Sequence, residues 1–88
     1  MEYKEKEEVI TEDITTRIHK LILYNSNHIW EEVIAQLQKA TNYDIIHCEQ
    51  IAVIAHTKGQ AVVKSGNYEE LAPVNSILKE IHLITEII

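Results

Sequence analysis

One cysteine, Cys48, stands in a chain of 88 residues. No internal disulfide can form, so the staple that holds many small secreted domains together is absent. A chain this short makes one domain at most, and such a domain buries only about 60% of the surface its unfolded form exposes. It must close a single modest core by packing its elements against one another. With 45% apolar and 25% charged residues, the composition is that of an ordinary soluble globule. A deep active site between domains is excluded.

The charge is unevenly placed. The formal net charge is −6, and residues 1–13 carry −4 of it through Glu2, Glu5, Glu7, Glu8, Glu12 and Asp13 against Lys4 and Lys6. The remainder is nearly balanced. An acidic chain is unsuited to electrostatic binding of nucleic acid, which needs a basic face, or to docking on anionic lipid. No apolar run approaches the roughly 20 residues needed to span a membrane. The first ten residues, MEYKEKEEVI, lack the basic segment and apolar core of a signal peptide. The expectation is a cytoplasmic protein with no nucleic-acid or membrane partner. Residues 1–14 are read as a flexible acidic extension and 15–88 as the folded core domain. The extension is either a solvated terminus or an arm that engages a partner, and composition does not separate the two.

Periodicity gives the elements. Residues 17–24, RIHKLILY, are apolar and β-rich and read as a strand, followed by the polar turn Asn25-Ser26-Asn27. Trp30, Val33, Ile34 and Leu37 recur at the spacing of one helical face over about 29–40, which Thr41-Asn42 breaks. Ile45, Cys48, Ile51, Ala52 and Ala55 repeat that period over about 44–57, and Gly59 ends it because a helix terminus favours a residue that tolerates positive φ. Ala61–Lys64 reads as a second strand and Ser65-Gly66-Asn67 as a turn, with Asn67 and Glu70 at capping-box spacing. Leu71, Val74, Ile77, Leu78 and Ile81 mark a third helix. Pro73 is tolerated only near a helix start, so either Tyr68–Leu71 is a separate tight turn or the first turn is kinked. Leu83–Ile88 alternates as a last strand. The order β-α-α-β-α-β implies an α+β, two-layer sandwich: a three-stranded antiparallel sheet with three helices on one face.

Few residues point to reaction chemistry. The five histidines, His19, His28, His47, His56 and His82, show no metal-ligand spacing, and Cys48 has no cysteine partner. No metal or other cofactor is implied. His47 adjoins Cys48, but neighbours on a helix point in different directions. A buried small cysteine beside a surface histidine is the simpler account. Glu31-Glu32 and Glu69-Glu70 fall in first helical turns, where acids complement the macrodipole. Gly59 and Gly66 are the only glycines, so no glycine-rich phosphate loop exists. A small hydrolase using His56 or Cys48 lacks a legible oxyanion hole or orienting residue.

An ordered set of segments resembles the ClpS family, small adaptors that recognise N-degrons for Clp proteases. The set is Leu21–Asn25, then Val33–Lys39, then Tyr43-Asp44, then Ala55-His56-Thr57-Lys58-Gly59-Gln60-Ala61-Val62, then Val63–Leu71. The resemblance covers residues 17–88 and implies a fold similar to the C-terminal domain of the ribosomal stalk protein. It implies a binding protein, not an enzyme, that takes a substrate's bulky N-terminal residue into an apolar pocket and delivers that protein to a Clp AAA+ unfoldase of the ClpA or ClpC type. The implied pocket is formed by Leu23, Trp30, Val33, Ala52, Ala55 and Leu83, and the implied α-amino ligands are Asn25, Asn27 and His56. This chain carries Ser26 and Asn27 where the family has two aspartates, in a loop one residue shorter. Trp30 stands where the family has a pocket-gating methionine, Ala52 and Ala55 replace larger wall residues, and Asn75 lies near the family's basic contact to the unfoldase. One alternative is a family member that binds the unfoldase as a regulator without N-degron recognition. Trp30 either folds inward to fill the space that the two alanines vacate or anchors the first two helices.

Overall fold

The computed structural model describes residues 18–88. The acidic extension expected over 1–14 lies outside the described residues. Three strands and three helices follow in the order β1 (His19–Tyr24), α1 (Trp30–Thr41), α2 (Ile45–Lys58), β2 (Gln60–Gly66), α3 (Tyr68–Leu78) and β3 (Thr85–Ile87). The sheet order is β2-β1-β3, antiparallel throughout. The expected two-layer α+β architecture is the one observed.

Side-chain alternation along the strands explains the layering. Leu21 and Leu23 of β1 and Ala61 and Val63 of β2 join one buried cluster with Ile34 and Leu37 of α1, Ile51 and Ala55 of α2, and Leu71 and Leu78 of α3. Ile22 is only 3% exposed yet stands outside that cluster. Its register partners Val62 and Glu86 are exposed. Between the pairs Leu21↔Lys64 and Ile22↔Val62 the register shifts by one residue. Val63 is the extra residue in β2, a β-bulge that adds local twist.

Helix ends follow local chemistry. Asp44 caps α2 by accepting the His47 backbone N–H at 2.8 Å, and Gly59 closes it at φ 91°. α1 begins differently: its cap position is Ile29, with no side-chain cap, so the polar turn before it does not cap the helix. Asn67 and Glu70 form the expected capping box, with Glu70 N–H donating to Asn67 Oδ1 at 2.8 Å and Asn67 N–H to Glu70 Oε1 at 3.0 Å. Asn67→Ala removes the cap, and we expect a loss of about 1 kcal/mol of stability, read as a lower urea midpoint at unchanged slope.

Two boundaries differ from expectation, at Ser65-Gly66 and at the last strand, and a third is decided between the two alternatives open for it. Pro73 lies inside one continuous α3, so Tyr68–Leu71 is no separate turn. The bond lost is the one to the Glu69 carbonyl, at an exposed residue where water can replace it. Ser65 and Gly66 belong to β2 and not to a turn, pairing with Lys20 and His19. The last strand is shorter than 83–88 because a 3-10 turn (Lys79–Ile81) ends at His82, whose φ is 64°. That turn carries the chain back so that Tyr24 N–H donates to the Ile84 carbonyl at 2.9 Å.

Candidate functional site

β1 delivers the chain to the site. After Tyr24, Asn25 N–H donates to the Gly59 carbonyl at 3.0 Å, which pins the loop start beside the end of α2. The helix-ending glycine thus brings Asn25 and His56 to the same edge of the fold. Both side chains line one cavity of about 50 Å³, both are exposed, and neither makes a hydrogen bond among the described residues. Their amide and imidazole groups are free to meet a ligand.

The cavity walls are apolar. Leu23 and Leu83 form the sheet side, Val33 and Trp30 the α1 side, and Ala52 and Ala55 the α2 side. Eight of the nine residues expected at the site thereby surround one space. Asn27 does not: it lines an adjoining shallow depression, which it shares with Asn25, Ser26, His28 and Ile84. Trp30 is 40% exposed, so it is not a core anchor between the helices. Its indole stands edge-on to the His56 ring, with centroids 6.4 Å apart and planes at 84°, and it narrows the space left by the two alanines.

Two further polar residues, neither expected at the site, border the cavity. His28 Nε2 lies 2.6 Å from the Ile81 carbonyl, and Nδ1 lies 2.7 Å from Ser26 Oγ. A carbonyl only accepts, so Nε2 carries a proton, and a neutral ring then accepts the Ser26 hydroxyl at Nδ1. The imidazole ties the loop to the 3-10 turn. Its partner is 53 positions away, so no local pattern announces it. Tyr24 also reaches the cavity, and its hydroxyl donates to Glu86 Oε1 at 2.7 Å. That bond to a carboxylate raises the phenol pKa above its ordinary value, with desolvation and the Glu86 charge adding in the same sense.

Hydrolytic chemistry finds no support at Cys48. The thiol is buried at 0% exposure, and desolvation pushes its pKa up, against nucleophilic use. The neighbouring His47 ring stacks on Tyr43 at 4.0 Å and 13°. Among the described residues no group of three potential metal ligands converges, and no helix is long and apolar enough to cross a membrane.

Comparison with known proteins sets this geometry in a family context. The family model described as ATP-dependent Clp protease adaptor protein ClpS matches residues 5–82. The structure of Agrobacterium tumefaciens ClpS2 bound to L-phenylalaninamide superposes with a TM-score of 0.73, covering 84% of this chain and 99% of that one at 17% identity. At that identity the likeness concerns the fold. No curated protein gives a significant sequence match.

Proposed function

The chain belongs to the ClpS family of ATP-dependent Clp protease adaptor proteins, and we propose that it acts in the cytoplasm as a non-enzymatic adaptor. It binds proteins by a bulky apolar N-terminal residue and delivers them to a Clp AAA+ unfoldase of the ClpA or ClpC type. The observation that carries this reading is the cavity whose apolar walls end at two polar side chains, Asn25 and His56. L-Phenylalaninamide, bound by ClpS2, has the matching features: an apolar side chain and a free α-amino group. Burying a large apolar side chain contributes about 1.5–3 kcal/mol, and hydrogen bonds to a charged amine contribute about 1.5–3 kcal/mol each. Capture of a chain terminus is a recurring mode of peptide recognition. The test is a titration with peptides that begin with Leu, Phe, Tyr or Trp against one that begins with Ser. Saturable binding of the apolar set alone supports the reading.

The polar end of the cavity contains Asn25, Ser26, His28 and His56, and no carboxylate is among the described residues that line it. An ammonium there meets acceptors without a formal counter-charge. Asn27→Asp restores a carboxylate at the edge of the site, and we expect binding of a Leu-starting peptide to tighten a few-fold at low ionic strength. The gain should shrink as salt rises toward about 0.5 M, because an exposed charge is screened. An unchanged Kd at low salt would contradict the electrostatic account. The same lack of a carboxylate favours a second reading, a regulator that binds the unfoldase and no N-degron. Asn75, near the family's basic contact position, accepts the Thr85 hydroxyl and is engaged within the fold. Co-sedimentation with the unfoldase, together with no response to any apolar-starting peptide, would select that reading.

A further inference from the structure

Trp30 lines a second space besides the cavity described above. This is a groove of about 290 Å³ lined by residues of α1 and α2. Its lining includes Ile34 and Ala35 of α1 and Ile45 of α2, with Glu31 contributed by α1 and Glu49 by α2. Ile45 is 51% exposed, an apolar side chain left uncovered in the groove. Neither glutamate has an ion-pair partner among the described residues, where Lys39 bonds instead to Glu80 at 2.8 Å.

We propose that this groove receives the substrate residues that follow the N-terminal one and favours basic side chains among them. The inference rests on the N-degron reading of the adjoining cavity. Continuity is the first support: Trp30 is the wall shared by both spaces, so a chain leaving the cavity over the indole enters the groove. Length is the second. From Trp30 to Gln38, the α1 residues that bound the groove, a helix advances about 12 Å, the reach of three or four extended residues. Charge is the third. A lysine or arginine laid along the groove keeps its stem on Ile34 and Ile45 and its head near Glu31 or Glu49, and the exposed indole offers a cation–π face at the entrance.

The test uses the full chain and three dye-labelled peptides that differ only at positions two and three: Leu-Lys-Lys, Leu-Ala-Ala and Leu-Glu-Glu. Fluorescence anisotropy at low salt should rank them in that order, with Leu-Lys-Lys several-fold tighter than Leu-Ala-Ala. In the double variant Glu31→Gln, Glu49→Gln that advantage should vanish while the Leu-Ala-Ala affinity stays unchanged. Equal binding of all three by the unmodified protein would overturn the groove assignment and leave the N-terminal reading standing. A lysine advantage that persists in the double variant would trace it to the overall charge of −6 and overturn the assignment as well. Failure of all three to bind would remove both readings. Sedimentation as a dimer that Ile45→Glu returns to a monomer would give the groove to a second copy of the chain and overturn the proposal.

Discussion

His56→Ala is expected to weaken binding of a Leu-starting peptide about tenfold, and Asn25→Ala by a similar factor, with the fold retained. A hydrogen bond to a charged group is worth about 1.5–3 kcal/mol, and about 1.4 kcal/mol is a factor of ten in Kd. The lower end applies because both side chains are exposed, so water partly replaces the lost partner. Neither residue belongs to the buried cluster, and surface changes of this kind shift stability by about 0.5 kcal/mol or less. Loss of affinity with unchanged circular dichroism and urea midpoint is therefore a binding effect. The two side chains would hold one ammonium, so the double variant should lose less than the product of the single losses, because neighbours that share a ligand couple. Unchanged affinity in both single variants would remove these residues from the site.

Trp30→Ala is expected to reverse the size preference of the cavity. An engineered cavity of about 150 Å³ holds benzene. The space here is about 50 Å³, so a Leu side chain should enter more readily than a Phe ring in the unmodified protein. Removing the indole joins the cavity to the groove beside it, since Trp30 lines both, and Phe-starting peptides should then bind tighter than Leu-starting ones. The stability cost should fall well short of the roughly 3–5 kcal/mol typical of a buried Trp→Ala change, because the side chain is 40% exposed. Isothermal titration reads both affinities without the lost fluorophore. A Phe-starting peptide that already binds the unmodified protein more tightly than a Leu-starting one would show that the indole does not limit the space.

Much of this arrangement is legible in the sequence where local chemistry decides it. Asn67 and Glu70 announce a capping box by spacing alone, and Gly59 announces a helix end by its freedom at positive φ. The helical faces led by Leu37 and Leu71 are visible because their period matches the side they bury. What escaped depends on distant partners. Pro73 leaves two arrangements open by its own stereochemistry, and packing of Leu71, Val74 and Leu78 into the core decides for a helix that runs through it. The last strand reads too long because His82, not a glycine or asparagine, supplies the left-handed turn. His28 carries no local sign of its bond to Ile81. Asn27 shares with Asn25 a depression beside the cavity, a placement that depends on the path of the loop and has no local sequence signal.

Trp30 is the only tryptophan in the chain and lines the cavity, so its intrinsic fluorescence reports occupancy directly. The decisive measurement titrates the protein with a Leu-starting peptide and with the same peptide acetylated on its α-amino group. A saturable change in indole emission with the free peptide, lost or shifted at least tenfold to weaker binding by acetylation, is the predicted result. Equal responses to the two peptides, or none to either, would contradict capture of a free N-terminus in this cavity.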